Sequence, residues 1–252
     1  MTFVRSWLGT IWIYFWIAIA VITIVLVGPF IPQKWLISIP NNFYLPIALW
    51  GLRVFGGISI EIRGRQYINQ DKAIYACKHE SALETYVMTS IIKRGVMILK
   101  KELTYIPLFG WAQWLYGLIP VDRGAGAKAM KKMLAAAQKR VDQNRPIIIF
   151  PEGHRMKPGT TQKYKPGFLF MAQNLNLPII PVALNTGMFW PRSSTKHLQG
   201  KVIIEFMEPM TAGKDKNAFI EELQRRIEQK CDELNEETVK NYPATAINLA
   251  KK

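Results

Sequence analysis

A chain of 252 residues that is 49% hydrophobic is long enough to bury one good core and too apolar to be disordered. Its 33 Lys and Arg against 18 Asp and Glu leave a formal charge of +15, which favours anionic partners. The basic residues are scattered and no zinc-finger or RNA-binding signature accompanies them, so the charge points to acidic lipid or phosphorylated substrates and not to nucleic acid.

Between residues 6 and 33 there is no charged side chain. As a helix, residues 7–27 would run about 31 Å, close to the roughly 30 Å hydrocarbon thickness of a bilayer. Trp7, Trp12, Tyr14 and Trp16 crowd the first half, as amphipathic rings do near headgroups. A cleaved signal peptide competes with this reading, because Ala18-Ile19-Ala20 mimics a cleavage site; the apolar run continues well past it. A second apolar stretch, 35–52, contains Pro40, Asn41, Asn42 and Pro46 and is no clean span. Either the first segment crosses the bilayer and the second lies on its surface, or both enter one leaflet as a hairpin. Only Arg5 flanks the N-terminal side, so positive-inside logic puts the body of the protein on the cytoplasmic face of the inner membrane.

From about residue 58, short β-branched runs alternate with helical ones. Strands are predicted at 58–62, 73–77, 96–99, 147–150, 179–184 and 202–206. A helix over 82–93 follows a Ser81-x-x-Glu84 capping box. The uncharged stretch 103–121 is broken by Pro107, Gly110, Gln113, Gly117 and Pro120, so it reads as a short helix and not a second span. Its Trp111, Trp114 and Tyr116 either lie against lipid, line an acyl groove or form plain core. Ala127, Met130, Leu134, Ala137 and Val141 make the apolar stripe of a further helix. Another is expected after Lys163, with Pro166 in its first turn. Ile220, Leu223, Ile227 and Leu234 mark the last, and the tail after Pro243 reads as frayed. The expected architecture is a single α/β domain over residues 53–242, a mixed sheet flanked by helices. A membrane-associated helical anchor, 1–52, precedes it and a tail, 243–252, follows.

The chemistry concentrates where one strand gives way to a helix. In Cys77-Lys78-His79-Glu80-Ser81-Ala82-Leu83-Glu84 an imidazole stands five positions ahead of a carboxylate. A histidine steered by an acid is a general base. The same pattern also describes a satisfied, partly buried histidine, with Glu84 serving Ser81 as a cap; both readings of Glu84 stand. Glu80, the direct neighbour of His79, points elsewhere. Further along come Pro120-Val121-Asp122-Arg123, Phe150-Pro151-Glu152-Gly153-His154-Arg155 and Ile180-Pro181-Val182-Ala183-Leu184. In this order and spacing the chain resembles the glycerolipid acyltransferases, most closely the bacterial 1-acyl-glycerol-3-phosphate acyltransferases. The likeness covers about residues 51–184 and includes Lys101-Glu102-Leu103 ahead of Pro107 and Gly110. Glu84 departs from the Asp of the family's His-x4-Asp motif, and His154 from its Thr or Ser.

The resemblance implies transfer of a fatty acyl group from acyl-CoA or acyl carrier protein to the sn-2 hydroxyl of lysophosphatidate, without a further cofactor and without metal. Within it, His79 removes the hydroxyl proton and Glu84 fixes the imidazole tautomer. Arg123 and Arg155, with Lys101, anchor the phosphate through charge-assisted and bidentate contacts. Gly153 supplies a positive φ to the turn. Asp122 and Glu152 either brace the arginines or bind a glycerol hydroxyl, and His154 either meets the phosphate or fills the turn. His197 is expected to be solvated. Three alternatives accompany this reading. Cys77 shares a strand face with His79, so an acyl-cysteine is geometrically conceivable; the acceptor could be another lysolipid, such as lyso-ornithine lipid; or the chain is a non-enzymatic basic protein that binds membrane lipid.

Overall fold

The computed structural model of the protein describes residues 2–68, 72–122, 124, 126–192, 194–213 and 215–250. It opens with α1 (Thr2–Val27), a 26-residue helix. The residues Phe3–Phe30 are apolar and long enough to cross a membrane by length and composition. After a tight turn at Gly28-Pro29-Phe30, α2 (Gln33–Ile39) and α3 (Leu45–Gly51) run back along α1 in the opposite sense. Pro40 and Pro46 remove backbone donors, and a wide π turn at Pro40–Tyr44 takes up the misfit between the two helices. The seam is tight. Trp12 Nε1 donates to the Ile47 carbonyl at 3.1 Å, Trp16 stacks on Tyr44, and a Cβ on Gly9 would stand 2.7 Å from Gly56 Cα. The two apolar stretches thus form a packed hairpin.

Seven strands follow among the described residues: β1 (Ile58–Arg63), β2 (Ile74–Cys77), β3 (Val96–Lys100), β4 (Ile119–Val121), β5 (Ile147–Ile149), β6 (Ile179–Leu184) and β7 (Gly200–Phe206). They lie in the order β1-β7-β6-β2-β5-β3-β4, all neighbours parallel except the β6–β7 pair. The mixed sheet flanked by helices is the architecture the alternating pattern calls for. Six strands fall where their β-branched runs placed them. The seventh, β4, is three residues long with Pro120 at its centre, which is too little pattern to announce a strand.

Among the described residues six further α-helices complete the fold: α4 (Leu83–Ile91), α5 (Phe109–Tyr116), α6 (Gly126–Val141), α7 (Gly167–Leu175), α8 (Thr186–Phe189) and α9 (Lys216–Asn241). Asp215 starts α9 by accepting from the Asn217 and Ala218 backbone N–H groups at 2.9 and 3.0 Å. Side chains alternate across the sheet, so its central strands feed two cores. Ile74, Ala76, Ile147 and Ile149 meet Met133 and Ala137 of α6, Phe168 of α7 and Leu223 and Ile227 of α9. On the other face Tyr75, Cys77, Ile148 and Val182 meet Val87 and Met88 of α4. Ile13, Ala48 and Leu52 of the hairpin are buried in that same second core. Hairpin and sheet therefore share one hydrophobic interior.

Several local expectations change. The stretch after Pro243 is not frayed: Pro243–Asn248 winds into a 3₁₀ turn, Asn248 Nδ2 donates to the Met188 carbonyl at 2.8 Å, and the Ala250 N–H to Pro158 at 2.9 Å. His197 is buried against α1, not solvated. Its backbone N–H donates to Ser6 Oγ at 2.7 Å, Thr10 Oγ1 donates to the Thr195 carbonyl at 3.1 Å, and Trp190 sits edge-on to Tyr14. Burial lowers the pKa of this imidazole below its ordinary value. Ser6, Thr10 and Tyr14 recur at four-residue steps, and this one polar face of an apolar helix went unread. The 103–121 stretch is divided: Tyr116 is core, while Trp111 and Trp114 of α5 face outward, Trp114 at 78% exposure.

Because Gly9 and Gly56 meet through backbone atoms, a Gly9→Val variant is expected to push α1 off the hairpin. A thermal midpoint in detergent several degrees below wild type would register this; an unchanged midpoint would show that the seam is loose.

Candidate active site

The parallel strands β2, β3, β4 and β5 end on one edge of the sheet, and chain segments with the suspected chemistry leave from those ends. In such sheets the crevice beyond the carboxyl ends of the strands is the natural ligand site. His79 follows β2, Lys100 and Lys101 end or follow β3, Asp122 and Arg123 follow β4, and Glu152 to Arg155 follow β5. Arg123 lies outside the described residues.

His79 Nδ1 stands 2.7 Å from Glu84 Oε1. The same carboxylate accepts from the backbone N–H of Glu80 and of Ser81, each at 2.8 Å, and through Oε2 from Thr186 Oγ1 at 2.8 Å. Ser81 Oγ in return accepts from the Leu83 N–H at 3.2 Å, so the helix start is capped from both sides. Glu84 is thus cap and histidine partner at once; the two readings describe one side chain. A carboxylate only accepts, so Nδ1 donates to it, and in the neutral ring Nε2 would keep its lone pair. The imidazole lies flat on Phe150, with ring centroids 4.1 Å apart, and keeps 16% of its side-chain surface open.

Glu152 does not bind from the cavity wall. Its carboxylate is fully buried, with Oε1 on Lys78 Nζ at 2.7 Å and Oε2 accepting from the His79 N–H at 3.1 Å. Both oxygens are engaged, so it neither braces Arg155 nor reaches a substrate hydroxyl; it holds the histidine's backbone. Lys78 also meets Glu228 of α9 at 2.7 Å and the Thr160 carbonyl at 2.8 Å. Burial works against the ammonium, but the two carboxylates outweigh it and hold the Lys78 pKa above the ordinary lysine value. Lys78, Glu228 and Thr186 were missed from sequence. A lysine at the end of a buried strand was the available signal for the first. Cys77 points into the core behind β2, where burial pushes its thiol well up, so the acyl-cysteine route has no activated nucleophile.

A cavity of about 680 Å³ opens from His79 between β3, β4, α5 and α6. Met97, Leu99, Leu103, Met130, Met133 and Ile149 give it an apolar wall, and Asp122, Gly153, His154 and Arg155 stand on its lining. Gly153 adopts φ 79°, the left-handed turn for which its lack of Cβ suits it. His154 Nδ1 lies 3.3 Å from Gln162 Nε2. Lys101 is exposed and paired with Asp122 at 3.3 Å, while its neighbour Lys100 lines the cavity. The site therefore joins a buried acid–imidazole pair to an apolar chamber with cations on its rim.

Comparison with known proteins gives the same class. The Acyltransferase family profile matches residues 59–185. The chain is 30% identical to the 1-acyl-sn-glycerol-3-phosphate acyltransferase of Pseudomonas aeruginosa over 202 residues, 80% of this chain and 79% of the relative. It is 30% identical to the enzyme of the same name from Haemophilus influenzae over 212 residues, covering 80% and 86%. The crystal structure of the 1-acyl-sn-glycerophosphate (LPA) acyltransferase of Thermotoga maritima shares the fold, with a TM-score of 0.75 at 21% identity over 93% of this chain and 98% of that one. The protein belongs to the Acyltransferase family.

Glu80 yields a pH test. Its carboxyl is fully buried, Oε2 accepts from the Gly187 N–H at 3.0 Å, and Oε1 has no hydrogen-bond partner among the described residues. Burial pushes its pKa up to about 8, against the pull of Lys78, from an ordinary 4.5. A folded-state pKa above the unfolded one means stability that is complete below 4.5 and lost as pH rises through about 8. Glu80→Gln cannot titrate, so its thermal midpoint should fall less than wild type between roughly pH 5 and 8. Parallel profiles for the two proteins would refute this.

Proposed function

We propose that the protein transfers a fatty acyl group from an acyl thioester to the sn-2 hydroxyl of 1-acyl-glycerol-3-phosphate, forming phosphatidate. The observation that carries this is the 2.7 Å His79–Glu84 pair at the mouth of an apolar cavity that Arg155 also lines. The matched relatives from Pseudomonas aeruginosa and Haemophilus influenzae bear the corresponding name. In this reading His79 Nε2 takes the proton of the acceptor hydroxyl as its oxygen attacks the thioester carbonyl. The C–S bond then breaks, the acyl ester remains on the glycerol, and the thiolate leaves with the proton that the imidazolium returns. Glu84 keeps the proton on Nδ1 and stabilises the positive ring, as the acid of a serine-protease triad does. Arg155, with Arg123, holds the phosphate, and Lys101 and Asp122 order the β3 and β4 ends nearby. His154 stands where it can join the phosphate contacts. The donor is acyl-CoA or acyl carrier protein; both are acidic and suit a chain of charge +15.

The hairpin supports entry into a single leaflet, with the catalytic domain on the cytoplasmic side of the inner membrane. Ser6, Thr10 and Tyr14 hold the first half of α1 against the 190–197 loop. What remains of α1 beyond Tyr14 is about 20 Å long, short of the roughly 30 Å core. Phe15, Ile22, Leu26, Phe30, Trp35 and Trp50 face outward, as lipid contact requires.

Purified protein offered lysophosphatidate and an acyl thioester is expected to release free thiol. His79→Ala should lower the rate by about 10³-fold and Glu84→Gln by about 10²- to 10⁴-fold, whereas Cys77→Ser keeps it. Thiol release by His79→Ala at the wild-type rate would refute the reading.

A further inference from the structure

Three cations on the cavity rim have no carboxylate partner among the described residues: Arg155, Lys165 and Arg192. Two of them belong to none of the motifs, and Arg192 lies beyond the 59–185 segment that the family profile matches. Both flank the Glu152-Gly153-His154-Arg155 turn. Arg192 Nη1 donates to the Arg155 carbonyl at 3.2 Å. Lys165 passes over the other side, its Nζ 3.0 Å from where a Cβ on Gly153 would stand. Among the described residues the one acid on this rim, Asp122, is already occupied by Lys101 and by the Gly124 N–H at 3.1 Å. Uncompensated positive charge around a single turn, at the edge of an apolar chamber, is a site for an anion whose tail enters the chamber.

Arg192 is also held in place. The Trp190 indole N–H donates to the Ser194 carbonyl at 2.8 Å, closing the short loop that carries it. Trp190 and His197, on either side of Arg192, are buried against α1 through Tyr14, Ser6 and Thr10. The anchor thus sets where the guanidinium stands. A lysolipid drawn from the membrane beside α1 presents its headgroup at that edge.

We infer that Arg192 and Lys165 are phosphate-binding residues that, with Arg155, grip the headgroup of the lysolipid, and that Ser6 and Thr10 position Arg192 from the membrane anchor. This rests on the acyl-transfer reading for the identity of the lipid, and direct binding separates the two. Full-chain protein in detergent is titrated with lysophosphatidate and, as a phosphate-free probe, with monoacylglycerol; turnover is measured in parallel. Arg192→Gln and Lys165→Met are each expected to weaken lysophosphatidate binding and raise its KM by about tenfold or more, the loss of a charge-assisted contact. Monoacylglycerol binding, kcat and the KM for the acyl donor should stay within about twofold. Ser6→Ala with Thr10→Ala should show the same split at smaller size, and Arg192→Lys should recover part of the loss. If wild type binds lysophosphatidate without turning it over, the acyl-transfer reading falls and the binding comparison still decides the role of Arg192. Equal lysophosphatidate binding by wild type and both single variants overturns the inference, as does wild type that does not bind this lipid at all.

Discussion

The Glu84 carboxylate is the junction on which the site depends. Four donors converge on it: an imidazole nitrogen, two backbone N–H groups and the Thr186 hydroxyl. They come from the end of β2, the start of α4 and the start of α8, so one fully buried anion ties together two neighbouring strand exits. Such a charge is tolerated because its lone pairs are answered by donors. The answer also orients the ring. A side chain one methylene longer than aspartate folds back over the first helical turn and reaches Nδ1 while capping the helix.

Behind this lies a second buried layer of charge. Lys78, Glu152 and Glu228 draw the His79 backbone, the β5 exit and α9 into one cluster. Buried ion pairs are expensive to assemble and disruptive to break, so their value lies less in stability than in a single geometry. The C-terminal helix, far from any motif, thereby reaches the histidine through two ion pairs and a backbone hydrogen bond.

The sheet was legible because its central strands are short apolar runs buried on both faces, whereas β4 is three residues long and centred on Pro120. His79, Glu84, Gly153 and Arg155 were legible because they sit close together in sequence at strand exits. Lys78–Glu228 and Arg192–Arg155 were not: their partners are 150 and 37 residues apart, and nothing local marks such pairings. Glu152 misled for the same reason. A carboxylate beside an arginine in sequence suggests a brace, yet the turn at Gly153 sends the two side chains to opposite sides of the wall. His197 was misplaced because a polar neighbourhood suggests water, whereas here the polar groups of α1 take water's part.

The hairpin contributes Ile13, Ala48 and Leu52 to the core that α4 and one face of the sheet share. A catalytic fragment trimmed to begin at β1 would carry an open hydrophobic gouge beside α4, the helix that bears Glu84. Greasy attachment is thus no detachable tether for this molecule. Water solubility and an intact reaction centre are competing demands on the same side chains, and the chain has settled the contest in favour of lipid.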